Sequence, residues 1–194
     1  MVSMPRRRPT KKLFGLLITA LVALVSWYVQ QHPTAPKAVL GTVTPGSYRV
    51  VSFSDGDTVT IDMNGHNETI RFIGVDTPET HDPRKAVQCF GKAASAFTKQ
   101  TIGTGSVRLE ADALSSNRDR YNRLLRYVYT QQGVLVNAEI IKQGYGFAYT
   151  GFPFTKSDEF VALQTQAREG NKGLWQSCTP ITNDFGGFTS NNAP

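Results

Sequence analysis

The 194 residues, 40% of them apolar and 10% aromatic, suffice for one domain with a buried core and are too few for two full-sized ones. That composition excludes a wholly disordered chain and a polytopic membrane protein. The net charge of +6 does not mark a basic nucleic-acid surface either: Arg6, Arg7, Arg8, Lys11, Lys12 and Lys37 lie in a stretch without acids, and removing those six from 21 cations leaves 15 against 15 Asp and Glu. Any phosphate site must therefore come from local placement.

The basic block runs into Leu13 to Val29, seventeen uncharged and mostly apolar residues ending in Trp27 and Tyr28. At 1.5 Å per residue the segment spans roughly 26 Å, longer than most signal-peptide cores and just short of a full bilayer crossing. Cations ahead of an apolar run, with an interfacial Trp-Tyr pair behind it, predict a membrane anchor with the remainder outside the cytoplasm. Secretion after signal cleavage is the alternative. Residues 30–46, rich in Pro, Thr and Gly, read as a linker, 47–178 as the domain, and the polar Gly/Asn-rich 179–194 as a flexible tail.

Strands are predicted over Tyr48 to Ser54, Thr58 to Met63 and Thr69 to Val75, with Asp55-Gly56 and Asn64-Gly65 as turns. An Ala-rich helix follows over Lys92 to Ile102, then strands over Ser106 to Ala111 and Leu124 to Tyr129. Helices over Leu135 to Gln143, closed by Gly144, and over Ser157 to Glu169, ending before Gly170, complete the pattern. The result is a mainly β, α+β chain: a five-stranded barrel of the oligonucleotide-binding type with three helices. Cys89 and Cys178, in a part of the chain predicted to be exported, are expected to pair, two buried free thiols being the other reading; His32, His66 and His81 show no metal-ligand spacing with them.

Three segments carry candidate chemistry. Asp55-Gly56-Asp57-Thr58, read alone, is a turn. In Arg71-Phe72-Ile73-Gly74-Val75-Asp76-Thr77-Pro78-Glu79-Thr80 a guanidinium interrupts an apolar strand and needs an anion, either a structural carboxylate or a phosphate. Pairing of adjacent antiparallel strands would bring Asp57 beside Asp76, and two carboxylates without His or Cys suit calcium or magnesium. Arg118-Asp119-Arg120-Tyr121-Asn122-Arg123 reads as a surface charge cluster, unless Arg123 converges with Arg71 on one phosphate. Two guanidinium forks, a divalent ion and a further carboxylate, Glu79, as base are the parts of a metal-assisted phosphodiesterase.

DGDTV, R-x-x-x-V-D-T-P-E-T, F-G-K-A-A-S-A-F-T-K, D-R-Y-N-R-L-L-R-Y-V, V-N-A-E-I-I-K-Q-G and G-L-W, in that order across residues 47–176, resemble the thermonuclease family of staphylococcal-nuclease-like enzymes. The resemblance implies calcium-dependent hydrolysis of DNA and RNA to 3'-phosphorylated products; a monomer is expected. It further implies Asp57, Asp76 and the Thr77 carbonyl as calcium ligands, Glu79 as general base, and Arg71 and Arg123 as the phosphate-binding pair. Tyr121 and Tyr149 fall at substrate-binding positions, while the next pocket tyrosine of the family falls near Gly151 or Phe152. Asn122 stands where the family often has Gly, a change Asn tolerates because it accepts left-handed backbone angles. A non-catalytic nucleic-acid-binding module of the same fold is the alternative, disfavoured by retention of all five positions.

Overall fold

The structure, a computed structural model, describes residues 21–24, 26–28, 46–80, 86–183 and 187–193. The chain divides into two units, Met1–Thr42 and Val43–Pro194. In the first, residues 21–24 and 26–28 are helical; the rest of the predicted Leu13 to Val29 anchor, and the linker up to residue 45, lie outside the described residues. Among the described residues no helix is long and apolar enough to cross a membrane.

In the second unit, alternation along β2 (Thr58–Met63) and β3 (His66–Phe72) buries Val59, Ile61, Ile70 and Phe72, the period of two that a half-buried sheet requires. Asn64 and Gly65 join the two strands at φ 57° and 87°, the left-handed pair that suits a tight hairpin. The Gly65 N–H also donates to Asp62 Oδ1 at 2.7 Å. β1 (Ser47–Asp55) pairs antiparallel with β2, with register shifts between Val50 and Ser52 and between Phe53 and Asp55. β5 (Ser106–Glu110) pairs antiparallel with β1 and with β6 (Leu124–Tyr129), and β6 runs parallel to β3. The barrel thus closes in the order β1-β2-β3-β6-β5, the five-stranded α+β architecture expected, and closure removes the exposed edges an open sheet would carry.

The three predicted helices form as α1 (Gly91–Ile102), α2 (Val136–Lys142) and α3 (Ser157–Glu169), followed by a single turn, α4 (Leu174–Ser177). α1 packs on β1 and α2, and α2 on α3 and β6. Val136, Ile140, Ile141 and Phe160 from the helices join the barrel's Val59, Ile61, Val107 and Val128 in one core.

The third strand begins and ends three residues earlier than the predicted Thr69 to Val75. β3 stops at Phe72, and Gly74 turns the chain at φ 71°. A Cβ there would stand 2.6 Å from the Phe154 ring and 2.9 Å from Phe160, so both backbone angle and packing demand glycine. Val75–Asp76 then forms β4, which pairs with β7 (Phe147–Ala148). Asn137 on α2, wholly buried, closes the gap this leaves. Its Oδ1 accepts from Val128 N at 2.9 Å, and its Nδ2 donates to the carbonyls of Ile73 at 2.9 Å and Arg126 at 3.3 Å.

Cys89 and Cys178 form a disulfide with Cα atoms 5.9 Å apart, and there is no free cysteine. Where the sequence reads as a flexible tail, the described residues beyond 178 carry a hairpin of β8 (Ile181–Thr182) and β9 (Phe188–Thr189). The intervening Gly and Asn serve as turn residues: Asn183 N donates to Gly187 O, and Gly187 N to Asn183 Oδ1. The Phe188 ring stands 5.1 Å from Trp175 and 6.2 Å from Phe147, with Arg168 at 5.6 Å over it.

Candidate active site

Asp57 sits in the turn after β1, and Arg71 lies on β3, where Thr58 pairs with Arg71 across the sheet. Asp76 is not on β3 but on β4, so simple hairpin pairing does not bring the two carboxylates together. Arg71 does. Its Nη1 stands 2.9 Å from Asp57 Oδ2 and donates to the Val75 carbonyl at 2.7 Å, while Nη2 meets Asp76 Oδ1 at 3.0 Å. The side chain is only 14% exposed. Burial acts against its charge, but Asp57, Asp76 and Asp119 outweigh it and hold the guanidinium above the usual arginine pKa.

Asp57 is buried, and both of its oxygens accept hydrogen bonds within the protein. Oδ1 accepts from the Thr58 hydroxyl at 2.9 Å, and Oδ2 from Thr77 N at 2.8 Å and Thr77 Oγ1 at 3.0 Å, beside its ion pair with Arg71. The Asp76 side chain, 45% exposed, is the carboxylate open to the cleft. Three residues on, Glu79 Oε1 accepts from Thr80 N at 2.9 Å, and the Thr80 hydroxyl donates to Asp55 Oδ1 at 2.7 Å.

Arg123 enters at the start of β6 from a turn with Asn122 at φ 65°, the left-handed angle anticipated for the Asn-for-Gly replacement. Its Nε and Nη2 both reach Asp119 Oδ2 at 2.7 Å, and the backbone N–H groups of Tyr121 and Arg123 donate to Asp119 Oδ1. Burial would raise the Asp119 carboxyl pKa, but the bonds from Arg123 and from the backbone hold it below the ordinary value. Tyr121 is 64% exposed, with the Arg120 guanidinium 4.8 Å and that of Arg123 5.3 Å from its ring, within cation–π range.

Of the predicted residues, Asp57, Arg71, Asp76, Thr77, Glu79, Tyr121 and Arg123 line one cleft of about 610 Å³. Tyr149 does not. It lines an adjoining groove of about 1060 Å³ that shares Arg71, Asp76 and Arg123 with the cleft. There its ring lies 6.0 Å from that of Phe152, which is 67% exposed, an arrangement able to stack on a base. Sequence reasoning missed Asp119, which orients Arg123 from within the same turn. It also missed Thr80, Asp55 and Gln88 around Glu79.

Two carboxylates and a neighbouring main-chain carbonyl are all-oxygen donors, the ligand chemistry of calcium or magnesium rather than of a softer metal. Among the described residues no group of three His, Cys, Asp or Glu side chains is placed to hold a metal without other ligands, so an ion here would complete its shell with water or phosphate oxygens.

Residues 69–177, over half of the chain, match the family model described as staphylococcal nuclease homologue. The chain is 34% identical over 163 residues to a thermonuclease of Staphylococcus hyicus, covering 84% of this chain and 95% of that protein. It is 36% identical over 167 residues to a thermonuclease of Staphylococcus intermedius, covering 84% and 96%. A further match, 37% identical over 131 residues, is to endonuclease YncB of Bacillus subtilis, covering 66% of this chain and 61% of that protein.

Proposed function

We propose, for a chain that belongs to the staphylococcal nuclease family and is a nuclease, a calcium-dependent phosphodiesterase that hydrolyses DNA or RNA to 3'-phosphorylated products. The observation that carries this reading is the single cleft in which Arg71, Arg123, Asp57, Asp76 and Glu79 converge. Asp57, Asp76 and the Thr77 carbonyl would hold the calcium ion. When bound, the ion supplies positive charge that polarises the scissile phosphate.

The chain's own side chains do the rest. Glu79 orients the attacking water and takes its proton as the oxygen closes on phosphorus. Arg71, fixed by Val75, Asp57 and Asp76, presents a positioned guanidinium to the charge that builds on the equatorial oxygens, and Arg123, aimed by Asp119, does the same from β6. Neither arginine has to reorganise as the reaction proceeds, which is why such fixed charges lower a barrier more than mobile ones. Tyr121, and Tyr149 with Phe152 in the adjoining groove, receive the flanking nucleotides.

The test is digestion of single-stranded DNA, duplex DNA and RNA with calcium and with chelator, by the native chain and by Glu79→Gln. Activity that vanishes with chelator, and a loss of about 10²–10⁴-fold in Glu79→Gln, are expected. Chelator-insensitive cleavage overturns the metal assignment, and absence of cleavage under every condition favours a binding module of the same fold. For location, the basic block ahead of Leu13 to Val29 supports a membrane anchor with the nuclease unit outside the cytoplasm. Recovery of a soluble form beginning between about residues 30 and 45 would replace that with secretion.

A further inference from the structure

The loop bearing Glu79 is gripped by one amide. Gln88 Oε1 accepts from Glu79 N at 2.8 Å, and Gln88 N donates to the Glu79 carbonyl at 2.9 Å. The Gln88 side chain does not end there. Its Nε2 donates to Thr189 Oγ1 at 3.3 Å and to the Ser190 carbonyl at 3.2 Å, so the same amide joins Glu79 to residues more than a hundred positions later. That pattern needs an acceptor and a donor on one planar group, which among side chains of this length only glutamine supplies.

The C-terminal segment is bound along the whole stretch around Gln88. Ala193 N donates to the Val87 carbonyl at 2.8 Å, Cys89 N to the Asn191 carbonyl at 2.7 Å, and Ser190 Oγ to the Cys89 carbonyl at 2.9 Å. Phe188, packed against Trp175 and Phe147, pins the other end. The stretch itself has little freedom. Phe90 holds φ 70°, a costly angle for a bulky residue, and Cys89 is bridged to Cys178. Gly91 lies so close beneath the loop that a Cβ would stand 2.6 Å from Thr80 Cγ2 and 3.0 Å from the Pro78 and Glu79 carbonyl oxygens.

We propose that residues 188–193 form a strap that, through Gln88, sets the position of Glu79 in the cleft. Gln88 is a positioning residue, and the strap lies beyond residue 177, where the family match ends. An unstrapped loop would let the Glu79 backbone drift, and displacement of a reacting group by about 1 Å costs on the order of a hundredfold in rate. The inference rests on the reading of Glu79 as the base, and the experiment separates the two.

Protein carrying Gln88→Met or Phe188→Ala, and protein ending at Thr182, are compared with the native chain in steady-state cleavage of DNA at saturating calcium. Gln88→Met removes the link and keeps the bulk. Phe188→Ala unpins the strap without touching Gln88 or Glu79, and the truncation removes the strap while leaving Cys178. Each variant is expected to lower kcat by about 10- to 100-fold with KM within about twofold, and Gln88→Met to have no further effect on kcat in a Glu79→Gln background. Native kcat in Gln88→Met and Phe188→Ala, with Glu79→Gln inactive, overturns the strap and leaves the base assignment intact. An equal fall on adding Gln88→Met to Glu79→Gln overturns it too, because the effect would not pass through Glu79. A fully active Glu79→Gln instead removes the base reading, and the strap's role with it.

Discussion

Reducing the Cys89–Cys178 bridge should destabilise the nuclease unit heavily while sparing its turnover. The two cysteines are separated by 89 residues, and the closed loop contains α1 to α4 with β5 and β6. For a loop of that length the chain-entropy relation gives about 4.6 kcal/mol at 25 °C, an upper figure. A domain of this size shifts its melting temperature by about 2–4 °C per kcal/mol, so reduction should lower Tm by about 9–18 °C. Turnover well below the transition should change by less than about twofold, because Cys89 is tied to Asn191 and Ser190 through its main chain and not its sulfur. The assay is calorimetry with and without reductant, beside Cys89→Ser/Cys178→Ser, with thiol titration to show complete reduction. A Tm shift under about 2 °C in fully reduced protein would refute the reasoning, as would two titratable thiols before reduction.

Arg71→Lys should lose about 10²–10³-fold in kcat, because an ammonium cannot span Val75, Asp57 and Asp76 and still face a phosphate; cleavage kinetics within tenfold of native would contradict this. Asn137→Ala should cost about 2–4 kcal/mol by denaturant titration, since it strands the Val128 N–H and the Ile73 carbonyl in the core. Burial opposes the Asp112 carboxylate, but hydrogen bonds from Thr155, Tyr127 and Leu114 hold its pKa below the ordinary value of 3.8. Its stabilisation is therefore present at neutral pH and lost as pH falls from about 4 toward the lower folded value. Asp112→Asn should lower stability at pH 7 and flatten the decline below about pH 4 in urea titrations; an unchanged acid slope would exclude the assignment.

The barrel was legible because its determinants are local. Val59 and Ile61 alternate on one strand, Asn64-Gly65 dictates a hairpin, and Gly144 and Gly170 end helices. What escaped was decided by distant residues. Gly74 breaks the third strand because Phe154 and Phe160 occupy the space a side chain would need, and no window around residue 74 contains them. In the site, motif order singled out Asp57, Asp76, Glu79, Arg71 and Arg123, and the structure brings them to one cleft, where one guanidinium joins a carboxylate in the turn after β1 to one on β4. Gln88 carried no such signal. Its partners lie at Glu79 and at Thr189 and Ser190, and an exposed-looking Gln before a Cys has no periodicity to betray a bridge between them. The Gly/Asn-rich tail was misread for a related reason: turn residues and linker residues are the same amino acids, and only Phe188's aromatic partners distinguish them here.

The charge balance of the cleft ties substrate affinity to the bound cation. Among the described residues its lining includes four carboxylates, Asp55, Asp57, Asp76 and Glu79, against three guanidiniums, Arg71, Arg120 and Arg123. The formal sum is one negative charge, and Arg71 is already shared between Asp57 and Asp76. Such a cleft does not by itself attract a polyanion, and the part of the chain beyond residue 37 has no excess of cations to compensate. A bound divalent cation reverses the sign to one positive charge, so it should govern substrate affinity as well as chemistry. In Glu79→Gln, which removes one carboxylate and the candidate base, the bare cleft is formally neutral. With a non-hydrolysable phosphorothioate oligonucleotide, that variant should then bind more tightly than the native chain both with chelator and with calcium, because the ion adds the same two charges to either cleft. Both affinities are measurable by fluorescence anisotropy across a calcium titration at fixed ionic strength. Equal affinity with calcium and with chelator in the native chain would show that the arginines alone recruit the phosphate, and the electrostatic argument would fall.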